Sequence, residues 1–209
     1  MKTPLIITIG REYGSGGREI GELVARQLGI AFYDKKLINL AAEKSGLSRE
    51  FIENNEQRER GGLLRGMAAS ASAAYAGGFF AMPHTPLTEN IFLAQAQVIR
   101  DIAAKESAVL VGRCADYILA ERANTINVFV HAPIPVRVNR IMALYQLDEA
   151  SALKAIATSD KERGNHYFRY TDQKWGKAQN YDLCVNSSLM GVEKTAEMLA
   201  DLARIEERI

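Results

Sequence analysis

A chain of 209 residues, 47% hydrophobic and 24% charged, is sized and mixed for a globule with a substantial core. A net charge of +1 excludes a global field that would draw nucleic acid or a membrane surface, so any anion site must be built locally. No apolar run approaches the roughly 20 residues of a membrane span. Cys114 and Cys184 lie far apart without metal-ligand spacing, which suits buried thiols in a reducing compartment. The N-terminus leads straight into a strand with no secretory signal, and the expected location is cytoplasmic.

The first elements carry the strongest signal. Leu5 to Ile9 is a short apolar run of the kind that forms a buried parallel strand. Gly10, Gly14, Gly16 and Gly17 follow at once. An amphipathic helix comes next, with Ile20, Leu23, Val24 and Leu28 on one face and Gly29 as its stop. A second strand, Ile30 to Tyr33, closes on Asp34. Strand, glycine loop, helix, strand is the opening unit of a phosphate-binding α/β domain. Glycines let backbone N–H groups crowd around an anion, and the helix N-terminus adds the positive end of its dipole.

Further strands are expected at 108–111, 126–130 and 182–186, all short and rich in β-branched residues. Helices are expected at about 35–45, 48–60, 88–105, 114–122, 134–146, 148–162 and 191–207. The alternation predicts an α/β fold with a five-stranded parallel sheet in a three-layer αβα sandwich. A single domain spans 1–209, with a helical insertion at about 46–90. The middle of that insertion is rich in Ala, Ser and Gly, reads either as a substrate cover or as a surface loop, and should be mobile in part.

Three blocks taken together, GREYGSGG, VGRCADYIL and YDLCVNSS, resemble the cytidylate kinase-like proteins, a branch of the P-loop nucleoside monophosphate kinases. The resemblance implies a P-loop NTPase fold and an arginine lid at about 158–177. It also implies transfer of the ATP γ-phosphoryl group to a nucleoside monophosphate such as CMP, with Mg2+. Arginines do such chemistry because the transition state spreads negative charge over the phosphoryl oxygens.

Position by position, Gly10, Gly14, Ser15, Gly16 and Gly17 form the phosphate loop, and Arg18 stands where the family carries lysine. The loop departs from G-x-x-x-x-G-K-[ST]: Glu19 and Ile20 replace the metal-binding hydroxyl, and Arg11-Glu12-Tyr13 lengthen it on the N-terminal side. Ser15 is the nearest hydroxyl for magnesium. Asp34 takes the acidic place near the catalytic centre and is equally an N-cap for the next helix. Lys35 and Lys36 are acceptor-phosphate candidates, because Asn39 and Leu40 stand where the kinases carry an arginine. Arg113 follows Gly112 at the carboxyl end of strand three, where ligands of open α/β sheets bind. Cys114 replaces an Asp of the kinases, and Asp116 is the nearest substitute. Arg137 is a substrate candidate, Arg140 a donor-nucleotide candidate, and Arg163 and Arg169 are the lid arginines, with Asp160 set to orient Arg163.

Two other readings remain open on the residues. An NAD-dependent oxidoreductase is suggested by Asp34 about 20 residues past the loop glycines, but Glu19 breaks G-x-G-x-x-G and the arginine-rich second half has no role there. A nucleotide-binding sensor, or a kinase for another small molecule, accommodates the altered loop and Cys114. Nucleotides are the expected partners, with neither nucleic acid nor membrane, and the apolar content of the inserted helices suggests a homodimer.

Overall fold

The computed structural model describes residues 3–34, 40 and 86–206. The chain divides into two compact units, Met1–Asp34 with Ile99–Ile209, and Lys35–Val98. Lys35, Lys36, the expected helices at 35–45 and 48–60, and most of the insertion lie outside the described residues.

The first unit is built on five strands: β1 (Ile6–Arg11), β2 (Ala31–Tyr33), β3 (Ala108–Val111), β4 (Thr125–His131) and β5 (Leu183–Asn186). They run in the order β2-β3-β1-β4-β5, and every pairing is parallel. The register sets Ile6 against both Ala108 and Thr125, so β1 is hydrogen-bonded on both edges and covered on both faces. That burial is why the strand reads as an unbroken apolar run.

The helices of this unit are α1 (Gly17–Leu28), the part of α2 (Pro86–Lys105) from Ile99 onward, α3 (Ala115–Ile118), α4 (Ile134–Tyr145), α5 (Glu149–Thr171) and α6 (Gly191–Glu206). They cover both sides of the sheet. One core cluster joins alternate strand residues, Leu5, Ile7, Ile9, Val109, Val111, Val128 and Val130, to Ile20 and Val24 of α1 and Ala196 and Leu199 of α6. The period of two on the strands meets the helical stripe at 20, 24 and 28. A smaller cluster, Val138, Ile141, Ala152 and Ile156, joins α4 to α5.

Three local expectations are corrected. The helix expected at 148–162 continues to Thr171, so Arg163 and Arg169 stand on a helix rather than in a turn-rich stretch. Asp148 caps its start by accepting from the Ser151 N–H, Tyr167 and Thr171 are buried along it, and Asp172 in the left-handed region stops it. Tertiary burial and two good ends outweigh Gly164 in mid-helix. The helix expected at 114–122 is the single turn Ala115–Ile118. Cys114 is buried as expected, but Cys184 is exposed, because β5 is an edge strand. No described helix is long and apolar enough to cross a membrane.

Candidate anion and phosphoryl-transfer site

The glycine loop leaves β1 and turns into α1 through two left-handed residues, Gly14 (φ +83°) and Gly16 (φ +80°). A side chain at either would also collide, with the Arg137 carbonyl at 3.0 Å or with Val192 at 2.9 Å. These glycines are needed both for conformation and for close approach. Ser15 is buried in the loop. Its hydroxyl donates to the Glu12 carbonyl at 2.9 Å and accepts from the Gly17 N–H at 3.4 Å. That hydroxyl is spent on the loop's own backbone, so it does not fit the role of magnesium ligand. Among the described residues no group of three metal-ligating side chains exists. The loop does fit an anion, since it delivers the first turn of α1 with its N–H groups facing out of the helix end.

The loop is fastened from distant parts of the chain. Asp160 on α5 accepts from the Tyr13 N–H at 2.7 Å and from Arg137 at 2.5 Å. Arg137 is buried, with Nε 3.4 Å from the Glu12 carboxylate and Nη1 donating to the Tyr13 carbonyl at 3.2 Å. Glu12 accepts from the Ala132 N–H at 3.1 Å. Ser187 donates to the Ser15 carbonyl at 2.6 Å. Arg140 lies over Gly16 and is ion-paired with Glu19 on the first turn of α1.

A second group of cations gathers at the carboxyl ends of β1 and β3. Arg18 leaves the loop sideways: its Nε donates to Asp34 at 2.7 Å, and it pairs with Glu22 at 3.2 Å. Asp34 is thereby placed at the site and also lies 3.9 Å from Arg11. Arg11, the last residue of β1, reaches Gly112 at the end of β3. Arg163 donates to the Arg11 carbonyl at 2.9 Å and stacks over Tyr13 at 5.3 Å. Burial and the nearby Arg163 push the Arg11 pKa down to about 9, against the pull of Asp34, with Arg113 and Arg18 adding repulsion. It is still a cation at neutral pH. Gly112, Arg113 and Cys114 are three successive left-handed residues, with φ of +76°, +62° and +55°. Such a run costs of order 1–2 kcal/mol at each non-glycine position.

Below this lies a buried acid. Asp116 accepts from the Tyr167 hydroxyl at 2.7 Å. Burial pushes the Asp116 carboxyl above its ordinary range and outweighs the Tyr167 hydrogen bond, which pulls the other way. Desolvation and the same carboxylate push Tyr167 upward, and burial raises Cys114 to about 12. Asp116 therefore ties the end of β3 to α5.

Gly14, Ser15, Gly16, Gly17 and Arg140 thus meet at the loop, while Arg18, Asp34, Arg113 and Arg163 meet beside it. Gly10 lies just below the loop in β1, where a side chain would strike Phe129 at 2.9 Å. Arg137 is inside the loop's fastening rather than at its mouth. Arg169 is exposed, six residues beyond Arg163 and about 120° round the helix. Sequence reasoning gives no role to Glu12, Arg11 or Gly112. A charged residue ending an apolar strand singles out Arg113, and the same signal applies to Arg11.

Comparison with known proteins fits this geometry. A structure of an uncharacterized protein from Eubacterium ventriosum ATCC 27560 is 26% identical, with TM-score 0.71 over 96% of this chain and 98% of that one. A shikimate kinase from Bacteroides thetaiotaomicron, 15% identical, has TM-score 0.51 over 96% and 98% of the two chains. A gluconokinase from Sinorhizobium meliloti 1021, 17% identical, has TM-score 0.50 over 100% and 97%. These last two share the fold. Among curated proteins, a uronate isomerase of Corynebacterium glutamicum is 29% identical over 107 residues, which is 50% of this chain and only 21% of that protein. The model of the cytidylate kinase-like family matches residues 6–189. With its all-parallel five-stranded sheet, glycine loop and arginine-lined strand ends, the chain belongs to the cytidylate kinase-like family.

Proposed function

We propose that the protein is an ATP-dependent phosphotransferase that moves the γ-phosphoryl group to a nucleoside monophosphate such as CMP. The observation that carries the reading is the loop with left-handed Gly14 and Gly16 opening α1, flanked by two separate groups of arginines. The loop amides and Arg140 suit the donor phosphates. Arg18 and Arg163 suit the charge that develops on the transferring group, and Asp34 suits orienting Arg18 or accepting the acceptor's proton. Magnesium, when bound with ATP, would supply charge neutralisation on the phosphates. With the Ser15 hydroxyl engaged by the loop, the ion's protein contacts would run through water.

One observation favours a second reading, a nucleotide sensor. Arg18 is held away from the loop by Asp34 and Glu22, and Glu19 occupies the usual hydroxyl position. ADP formation from Mg-ATP, measured against CMP, dCMP, UMP, AMP, GMP and no acceptor, separates the two. Acceptor-dependent ADP that disappears in Arg18→Ala supports the kinase and names its substrate. A flat panel with ATP still bound leaves the sensor.

A further inference from the structure

We infer that Tyr13 is a positioning residue: its ring sets the Arg163 guanidinium for the γ-phosphoryl group of the donor. The inference rests on the phosphotransferase reading above and adds to it a residue that the glycine loop itself supplies.

Tyr13 belongs to the loop by its backbone and to the arm formed by α4 and α5 by its side chain. Its ring packs on the cluster of Val138, Ile141, Ala152 and Ile156 that joins these two helices. It lies nearly parallel to the Tyr145 ring, at 15° and 6.5 Å between centroids. The Arg163 guanidinium comes over the Tyr13 ring, 5.3 Å from the centroid. A guanidinium over an aromatic face is attracted to it, and more strongly where water is kept away. Burial and the hydrogen bond with Tyr145 push the Tyr13 phenol up to about 12, against the pull of Arg163. The phenol is therefore neutral at pH 7, so the ring offers Arg163 a π-face without cancelling its charge. The Arg163 side chain keeps 28% of its surface exposed, so a phosphoryl oxygen can still reach it.

The loop grips this arginine at two points. Arg163 donates to the Arg11 carbonyl at 2.9 Å, and the Tyr13 ring lies under it two residues further on. Asp160, one turn before Arg163 on α5, accepts the Tyr13 N–H at 2.7 Å and lies 3.9 Å from Arg163 Nη1. The Tyr13 carbonyl accepts from Arg137 at 3.2 Å. Both backbone groups of Tyr13 are thus tied to the arm. A change of its side chain alters the seat of Arg163 and leaves those backbone ties in place. Arg11, Glu12 and Tyr13, which lengthen the loop beyond G-x-x-x-x-G-K-[ST], each contact the arm. The lengthening seats an arginine of α5 against the loop that suits the donor phosphates. A cation held in place beforehand costs no reorganisation when charge develops.

The test uses the full chain as wild type, Tyr13→Leu, Tyr13→Phe, Arg163→Ala and the double variant Tyr13→Leu/Arg163→Ala. Leucine keeps apolar packing on the arm and removes the π-face. Should Tyr13→Leu fail to fold, Tyr13→Met carries the same comparison. ADP and the non-hydrolysable donor AMP-PNP, each with magnesium, are titrated calorimetrically. ADP formation from Mg-ATP is followed with the best acceptor of the panel. Tyr13→Leu should lose about tenfold in AMP-PNP affinity and in kcat, because a misplaced cation forfeits that much or more. Arg163→Ala should lose at least as much, and Tyr13→Phe should recover most of the Tyr13→Leu loss. ADP, which lacks the γ-phosphoryl group, should bind each variant within about twofold of wild type. The double variant should be no worse than Arg163→Ala, since Tyr13 acts through that arginine. A merely structural tyrosine would weaken ADP and AMP-PNP alike, and its loss would add to that of Arg163. Equal weakening of the two nucleotides, additive losses, or unchanged AMP-PNP affinity and kcat in Tyr13→Leu overturns the inference. A Tyr13-dependent loss of AMP-PNP affinity in a protein that transfers to no acceptor leaves the role of Tyr13 standing and overturns the phosphotransferase reading instead. A wild type that binds neither nucleotide overturns both.

Discussion

The buried guanidinium of Arg137 donates to Asp160 at 2.5 Å, and that same carboxylate accepts the Tyr13 N–H at 2.7 Å. One ion pair between α4 and α5 therefore holds the backbone of the glycine loop. Replacing Arg137 by Met takes the nearby cation from Glu12 and leaves Asp160 only Arg163, at 3.9 Å. The cost should be about 3 kcal/mol, the lower end for breaking a buried pair, because both carboxylates keep some solvent. Urea unfolding measures it. AMP-PNP affinity should fall as well, although Arg137 itself faces away from the loop's mouth.

Gly16→Ala tests the loop itself. The left-handed backbone should cost about 1 kcal/mol for alanine, and the new methyl meets Val192 at 2.9 Å. The double variant Gly16→Ala/Val192→Ala removes the clash and leaves the strain. Donor affinity should drop about tenfold in the single variant, equivalent to roughly 1.4 kcal/mol, and recover only in part in the double. Full recovery would show that contact alone requires the glycine.

The buried Asp116 makes stability depend on pH. Its folded pKa is raised above the ordinary value, so the folded chain keeps a proton that the unfolded chain has released. The contribution is complete below about pH 4 and is lost as pH rises through the folded value. Asp116→Asn keeps a group that can accept from Tyr167 and removes the titration. Wild-type stability relative to Asp116→Asn should therefore fall with rising pH, by at most about 1.4 kcal/mol per unit. A flat difference between pH 4 and 8 in urea midpoints would show that Asp116 does not titrate differently in the two states.

The two thiols should react in sequence. Cys114 is buried with its pKa pushed to about 12, whereas Cys184 is exposed. At pH 8 a disulfide reagent should modify one thiol per chain quickly and the second only on unfolding. Cys184→Ser should abolish the fast phase, and Cys114→Ser should leave it.

The sheet and its opening unit are legible in the sequence because each strand is short, apolar and closed by glycine or a polar residue. The strand expected at 108–111 coincides with β3, and α1 announces itself by its stripe and Gly29. The long reach of α5 is not legible, since Gly164 and Asn165 look like a break and only burial of Tyr167 and Thr171 extends the helix. Of the site, the glycines and Arg113 follow from local pattern. The directions of Arg18 and Arg137 do not, because a side chain's partner is chosen by tertiary proximity. Arg18 meets Asp34 across a strand end, and Arg137 meets Glu12 from 125 positions later in the numbering.

The fasteners of the glycine loop also impose an order on its assembly. Its contacts span separations of 120 residues to Ala132, 147 to Asp160 and 172 to Ser187. During synthesis the loop leaves the ribosome long before its last tether, which emerges only with residue 187. Closing contacts so far apart is slow. The nascent chain must therefore carry an unfinished anion cradle until residue 187 has emerged.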